Sequence, residues 1–197
     1  MNLEKLEKNV KLRGFDFFHA ATAEEAVQHV LEQVQNTSVG IGGSTTVDQI
    51  GLYDRLKENN EVHWHWKNED QNAERKASAL ADVYLTSVQA LAETGEMVSI
   101  DGTGNRVAGM LYGHKKVYYL VGTNKLVPTL QDALVRAREV GGPARAKQLN
   151  RKTPCVVDGK CHDCRSPERI CNGMNIMLMP MGGMPAEVLL IDQELGI

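Results

Sequence analysis

Short apolar blocks alternate with helix-like stretches along most of the chain. Compact apolar runs, which predict buried strands, occupy residues 38–41, 83–85, 97–100 and 116–121. Predicted helices lie between and beyond these runs at residues 22–35, 47–57 and 128–140. Because strands and helices alternate through residue 140, we predict an α/β fold with a mostly parallel, Rossmann-like sheet and helices on both faces.

Three further segments complete this pattern. Residues 1–13 are charged and predict a helix, and Thr22-Ala23-Glu24-Glu25 opens the next helix with a capping-box pattern. Residues 61–66 alternate strictly, which predicts a strand with Trp64 on one face and both His63 and His65 on the other. These histidines either line the polar side of an edge strand or share a metal with a third ligand. The apolar runs at 176–179 and 188–191 predict two strands or one returning strand.

Length and charge restrict the class of protein. A chain of 197 residues can build one sizeable core, so we expect one domain with small appendages. Acidic residues outnumber basic ones by 25 to 22, and a net charge of −3 gives no general reason to expect nucleic-acid binding. No apolar run approaches the roughly 20 residues that span a bilayer, and the first residues lack a signal-peptide pattern. We therefore expect a cytoplasmic protein that does not enter a membrane.

A glycine-rich loop follows the strand at 38–41. It consists of Gly42, Gly43, Ser44, Thr45 and Thr46, whose backbone N–H groups and hydroxyls can donate to a phosphate or carboxylate. The loop lacks both the Gly-Lys-Ser/Thr ending of a Walker loop and the three glycines of the dinucleotide fingerprint. An anion site and an ordinary helix cap are the two interpretations of this pattern.

The densest group of polar residues lies between positions 81 and 113. The strand at 97–100 runs into Asp101-Gly102-Thr103-Gly104-Asn105-Arg106, which combines two glycines with an acid, a hydroxyl, an amide and a guanidinium. The simpler alternative is an ordinary capped connection between strand and helix. Since ligands collect at the carboxyl ends of strands in open α/β sheets, we predict one shared pocket at this edge, formed by residues 42–46, 87–93, 101–106 and Lys125. Its predicted ligand-binding residues are Gly42, Gly43, Ser44, Thr45, Thr46, Ser87, Gln89, Gly102, Thr103, Asn105, Arg106 and Lys125.

All four cysteines lie in one segment, in the pattern Cys155-x5-Cys161-x2-Cys164-x6-Cys171. A C-x2-C pair flanked by two more thiols can close around one metal or cluster from a single loop. The spacing matches neither the usual ferredoxin patterns nor the common zinc ribbons, so both an iron–sulfur cluster and zinc remain open. Disulfides and free thiols are the other interpretations. In a secreted domain stabilised by disulfides, however, the cysteines are usually distributed along the whole chain.

Three of these segments closely resemble the LUD-domain family, the lactate-utilisation proteins formerly called DUF162. The segments are VGIGGSTTVD at 39–48, IDGTGNR at 100–106 and TPCVVDGKCHDCRSPERIC at 153–171. The resemblance runs from about residue 11 to residue 197. It implies a single LUD domain over 1–197, with 1–13 and 153–173 as appendages. It also implies the fold shared by ribose-5-phosphate isomerase, glucosamine-6-phosphate deaminase and the CoA-transferases, in agreement with the α/β prediction.

The resemblance also implies a function and partners. Family members take part in bacterial L-lactate oxidation, so we expect an accessory or catalytic component of that pathway. Some members are iron–sulfur proteins, which makes Cys155, Cys161, Cys164 and Cys171 the expected ligands of a cluster, with zinc as the alternative. The expected partners are a small anionic ligand (a carboxylate, a phosphate or a CoA ester), other lactate-oxidation subunits and a second copy of the chain in a homodimer.

Carried over to this chain, the superfamily's anion loop falls on residues 42–46. The related isomerases resemble residues 87–103, but where they carry a catalytic aspartate this chain has Gln89, which cannot shuttle a proton. Glu93 and Asp101 are then the candidate catalytic residues, as acid, base or, by analogy with CoA-transferases, nucleophile. Two alternatives stay open: a stand-alone enzyme acting on a sugar phosphate or CoA ester, and a non-catalytic ligand-binding or assembly subunit.

Overall fold

A computed structural model describes residues 2–197 of the chain. The helices are α1 (Leu3–Leu12), α2 (Ala23–Gln33), α3 (Thr45–Gln49), α4 (Leu52–Leu56), α5 (Gln71–Leu80), α6 (Asn105–Leu111), α7 (Leu130–Arg136), α8 (Gly142–Gln148) and α9 (Pro154–Asp158). The strands are β1 (Asp16–Ala20), β2 (Ser38–Ile41), β3 (Glu61–His63), β4 (Val83–Thr86), β5 (Ala90–Ala92), β6 (Met97–Asp101), β7 (Lys116–Gly122), β8 (Leu126–Val127), β9 (Gly173–Met177) and β10 (Ala186–Ile191).

The main sheet has six strands in the order β1-β10-β7-β4-β2-β3, and every neighbouring pair is parallel. Parallel strands need a crossover between them, and here helices supply most of these crossovers and cover the sheet. The predicted α/β fold with a Rossmann-like parallel sheet is therefore confirmed.

Each face of the main sheet packs against its own apolar core. Along β7, Tyr118 and Leu120 point into a core formed with α2, α3 and α4, whereas Val117, Tyr119 and Val121 point into a core formed with α1 and α6. This alternation follows from the two-residue period of a strand. Because both faces are buried, the central strands are apolar at nearly every position, as their sequence indicates.

A second sheet of four strands lies in the order β8-β5-β6-β9. β6 pairs antiparallel with both β5 and β9, and β5 pairs parallel with β8. A small core between this sheet and α7 contains Ala90, Val98 and Ala133. The two apolar runs near the carboxyl end of the sequence therefore belong to different sheets: β9 extends the second sheet, and β10 lies inside the first.

Several predicted boundaries shift in the structure. The helix predicted at 47–57 is two short helices, because Gly51 adopts a left-handed conformation with φ 67° between them. The strand predicted at 61–66 ends at His63, and Trp64 instead turns into the core, where it is fully buried. The helix predicted at 128–140 begins at Leu130 and continues through a π-helical turn at Ala137–Gly141 into α8.

The carboxyl ends of β2, β4 and β7 lie at the same edge of the main sheet, since these strands are parallel neighbours. The chain segments that follow them begin at Gly42, Ser87 and Thr123. The topology therefore brings three distant parts of the sequence to one place. No helix among residues 2–197 is long and apolar enough to cross a bilayer.

Candidate anion-binding site

The loops at this sheet edge surround a cavity of about 240 Å³, which we call the anion cavity. Of the residues predicted from the sequence, the cavity is lined by Gly43, Ser44, Thr45, Ser87, Gln89, Asp101, Gly102, Thr103, Asn105, Arg106 and Lys125. Gly42 and Thr46 lie directly behind this wall: a Cβ at Gly42 would come within 2.9 Å of the Arg106 side chain, and the Thr46 hydroxyl accepts a hydrogen bond from Lys125. Glu93 does not line it.

Positive charge dominates the described wall of this cavity. Five cationic side chains line it: Arg75, Arg106, Lys125, Arg145 and Arg151. Within residues 2–197, none of the five lies within 4.0 Å of a carboxylate as a salt-bridge partner, and Asp101 provides the one carboxylate side chain on the wall. Cations that have no salt-bridge partner and face one concave surface attract an anion. This local charge contrasts with the net charge of −3 on the whole chain.

Arg106 is held in place by acceptors on three sides. Its guanidinium donates to the carbonyl of Ser87 at 3.1 Å, to Oε1 of Gln89 at 3.1 Å and to the carbonyl of Ile100 at 2.6 Å. Oε1 of Gln89 also accepts from the backbone N–H of Ile100 at 3.0 Å. Burial lowers the pKa of Arg106 from its usual value. Gln89 therefore orients an arginine in this structure.

Lys125 is almost completely buried, with 3% of its surface exposed. Its Nζ donates to Oγ1 of Thr46 and to Oγ of Ser87, both at 2.8 Å. Burial, reinforced by the charges of Arg106 and Arg136, lowers the pKa of Lys125 to about 7. Lys125 is therefore partly neutral near physiological pH.

Asp101 holds the glycine loop and the start of α6. Its Oδ1 accepts from the backbone N–H groups of Thr103 and Gly104, and its Oδ2 accepts from those of Arg106 and Val107, all at 3.0–3.1 Å. A carboxylate that accepts four backbone hydrogen bonds caps a helix start and is poorly placed to exchange protons or attack a substrate. The structure thus favours a structural role for Asp101 over the catalytic role predicted from the sequence.

Glu93 lies outside the cavity, against the amino-terminal helix. Its carboxylate is 2.6 Å from Nζ of Lys5 and accepts from the backbone N–H of Asn2 at 3.0 Å. The hydrogen bond from Lys5 is the main reason that its pKa is lowered. β5 explains this position, because it lies between Ser87, which lines the cavity, and Glu93, which follows the end of the strand. The prediction that Glu93 shares a pocket with Asp101 is wrong.

Among the cavity residues that were not predicted from the sequence as site residues, five have basic or aromatic side chains: His65, Trp66, Arg75, Arg145 and Arg151. His65 is buried, its Nδ1 has no partner among residues 2–197, and burial lowers its pKa to about 4, so the ring is neutral at pH 7. The guanidinium of Arg145 lies 4.7 Å from the ring centre of Trp66. His63 lies instead beside Glu61 and Glu74, so the two histidines have different surroundings.

The four cysteines line a second cavity of about 200 Å³, which we call the thiol cavity. Each thiol is free and partly buried. Burial, together with the nearby sulfurs of Cys161 and Cys164, raises the pKa of Cys171, and Arg169 opposes this effect. Within residues 2–197, no group of three or more His, Cys, Asp or Glu side chains is placed to hold a single metal ion. The four thiols thus line one cavity without converging on a single ion position. By number and type, four thiols match the donor set of an iron–sulfur cluster and that of a structural zinc site.

The two cavities are neighbours. Ile100 and Ile170 line both of them. The loop after β6 also packs closely against the cysteine segment, because Asn172 donates to the carbonyls of Asp101 and Gly102, and a Cβ at Gly102 would come within 2.9 Å of the Ile170 carbonyl. One layer of side chains and backbone thus separates the cationic wall from the thiols.

Comparisons with known proteins agree with this architecture. The sequence model of the LUD domain matches residues 3–191. No curated protein sequence matches the chain. A crystal structure of a DUF162 family protein from Deinococcus radiodurans is similar over 96% of this chain and 95% of that chain, with a TM-score of 0.56 and 14% sequence identity. At this identity the structural likeness concerns the fold.

Proposed function

Because the chain belongs to the LUD-domain family, we propose that it serves bacterial organic-acid utilisation, in the oxidation of L-lactate, by binding a small anion in the anion cavity. The link to L-lactate follows from the family, and the class of ligand follows from the cavity. We also propose a cytoplasmic location and other lactate-oxidation subunits as partners.

The observation that carries this proposal is the group of five cationic side chains without a salt-bridge partner among the described residues. Lys125 is buried and Arg75, Arg106 and Arg145 are half-buried, whereas Arg151 is exposed. Holding buried and half-buried charges together costs free energy unless an anion compensates them. A carboxylate, a phosphate or the phosphates of a CoA ester would each supply that compensation through hydrogen bonds with charged donors. Since the carboxylates of Asp101 and Glu93 have other partners, we favour an accessory or binding component over an enzyme with a carboxylate nucleophile.

We further propose that Cys155, Cys161, Cys164 and Cys171 hold an iron–sulfur cluster in the thiol cavity. Such a cluster would supply one-electron transfer. Arg138 and Arg169 lie beside the thiols and would offset thiolate charge: Arg138 donates to the sulfur of Cys161, and Arg169 donates to the carbonyls of Cys164 and Cys171. The adjacency of the two cavities supports a function in which the bound anion and the redox group act together.

Anion binding can be tested by titration calorimetry with L-lactate, pyruvate and inorganic phosphate at low ionic strength. Replacing Arg145 with glutamine should weaken the binding of the preferred anion about 10-fold to 100-fold, because a charged hydrogen bond contributes about 1.5–3 kcal/mol. The matched control is Arg55→Gln, which removes an arginine paired with Glu24 away from the cavity and should leave binding unchanged. If none of the three anions binds, or if both variants behave alike, the proposal is wrong.

The cluster proposal can be tested on protein purified without oxygen and without affinity metal. We expect iron and acid-labile sulfide in similar amounts, with broad visible absorption, and we expect Cys164→Ser to lose most of both. Circular dichroism should show that the variant remains folded, because Cys164 is partly exposed and lies in a loop. Zinc alone, or no metal in the unaltered protein, would count against a redox role for the four cysteines.

A further inference from the structure

Lys125 differs from the other buried cations in the groups that surround it. Lys116, which is also partly buried, has Glu187 at 2.7 Å, and this pairing helps to raise its pKa. Lys125 has no carboxylate of residues 2–197 within 4.0 Å; its Nζ contacts the hydroxyls of Thr46 and Ser87. A carboxylate beside Lys125 would favour its charged form. The surroundings of Lys125 favour the neutral amine instead.

A neutral lysine amine is a nucleophile, and burial near other cations is a known way to produce one. The neutral amine has two N–H groups, and the hydroxyls of Thr46 and Ser87 can accept both of them. The nitrogen lone pair is then the remaining reactive position. The same two hydroxyls are placed to pass protons to and from the nitrogen during a reaction.

Ser87 connects this amine to the arginine that would bind a carboxylate. The hydroxyl of Ser87 accepts from Lys125 at 2.8 Å, and its carbonyl accepts from Arg106 at 3.1 Å. The amine of Lys125 and the guanidinium of Arg106 therefore both donate hydrogen bonds to Ser87, on the wall of the cavity. In a 2-oxo acid the reactive carbonyl is bonded directly to the carboxylate, so one small molecule can reach both groups. In a sugar phosphate several bonds usually separate the two functions.

Gly196 explains how the amine is enclosed. A Cβ at this position would lie 2.7 Å from Nζ of Lys125 and 2.5 Å from Oγ1 of Thr46. The backbone of Gly196 thus covers the amine from one side, while Lys125 and Gly196 both line the anion cavity. This cover keeps bulk water away from the nitrogen, which stabilises its uncharged form.

We propose that Lys125 condenses with the carbonyl carbon of a 2-oxo acid bound in the anion cavity and forms an imine. The amine nitrogen adds to the carbonyl carbon, and the π electrons of the C=O bond move to the oxygen. The oxygen takes one proton from the nitrogen and becomes a hydroxyl. That hydroxyl then leaves as water with the second nitrogen proton, and a C=N bond forms. No electrons are transferred to another molecule. A 2-hydroxy acid such as L-lactate lacks the carbonyl and cannot react, so the site would distinguish the oxidised acid from the reduced one. This inference rests on the proposed anion binding.

The test is reductive trapping of the full-length protein with pyruvate and sodium cyanoborohydride, followed by mass spectrometry of the peptides. We expect one reduced pyruvyl group on Lys125. Near pH 7.5 its labelling should exceed that of an exposed lysine by roughly several hundredfold, because a lysine with its ordinary pKa is almost entirely protonated there. L-lactate should give no adduct. Lys125→Met should abolish the label, whereas the control Lys116→Met should leave it in place.

The pH dependence provides a second measurement. Labelling of Lys125 should increase as the pH rises through about 7, because deprotonation produces the nucleophilic amine. The charged groups that act on Lys125 are Arg106 on α6 and Arg136 on α7, and both remain cationic throughout this range. If pyruvate binds in calorimetry but Lys125 acquires no label at any pH, the imine is disproved and the anion site remains. If L-lactate or phosphate binds but pyruvate does not, this inference fails and the anion site remains. If none of L-lactate, pyruvate and phosphate binds, the proposed function and this inference both fail.

Discussion

Replacing Asp101 with alanine is expected to lower the free energy of unfolding by about 3 kcal/mol and to weaken anion binding at least about tenfold. The variant removes the acceptor of four backbone N–H groups in the loop and in the first turn of α6. Arg106 lies in that turn, so its guanidinium loses the support that sets its position. For a chain of this length the corresponding decrease in Tm is on the order of 10 °C.

A graded series makes this prediction specific. Asp101→Asn retains one side-chain oxygen and should accept about half of the hydrogen bonds, so its stability and affinity should lie between those of the unaltered protein and Asp101→Ala. The matched control is Asp132→Ala, which removes a capping carboxylate at the start of α7, away from the cavity. That variant should lose about 1 kcal/mol of stability with no change in affinity. An Asp101→Ala protein that keeps full stability and affinity would show that the four hydrogen bonds do not hold the loop.

Where periodicity and strand ends determine position, the sequence predicted the fold well. The strand at 38–41 and the capped helix after Thr22 lie where the pattern puts them, because a compact apolar run and a local cap are signals that act over a few residues. The meeting of the loops after β2, β4 and β7 could be predicted as well, since parallel neighbours end at the same edge. These inferences need no knowledge of distant contacts.

The second sheet could not be predicted in the same way. β5 and β8 have three and two residues, which is too short for a periodic signal, and β9 pairs with β6 across a long interval of sequence. The error about Glu93 has the same origin: without β5, nothing in the segment 87–93 separates Ser87 at the sheet edge from Glu93. Long-range pairing decides where such short segments lie.

The cationic wall shows a related limit. Arg75 lies on α5, Arg145 lies on α8 and Arg151 follows α8, and arginines on a helix usually face solvent. Nothing local distinguishes these three from ordinary surface residues. Their shared position becomes visible only in the folded chain, where they line one cavity with Arg106 and Lys125. By contrast, the confinement of all four cysteines to one short segment was itself a signal, and the structure places them around one cavity.

Replacing Gly40 with alanine is expected to destabilise the protein by about 3 kcal/mol or more, measured by chemical denaturation. Gly40 lies in β2, where α5 crosses the sheet so closely that a Cβ would lie 2.3 Å from the backbone carbonyl oxygen of Ser78. A backbone atom inside a helix cannot move away alone, so α5 as a whole must shift. Because α5 carries Arg75, the same change should also weaken anion binding.

Two comparisons separate this clash from a general cost of replacing glycine. Gly182→Ala, where no atom lies within 4 Å of the new Cβ, should change stability by less than about 0.5 kcal/mol. Adding Ser78→Ala to Gly40→Ala removes the contact with the serine hydroxyl at 2.7 Å but leaves the contact with the carbonyl, so it should restore little stability. Full recovery in that double variant would mean that the side chain, and not the backbone of α5, limits how closely the helix approaches β2.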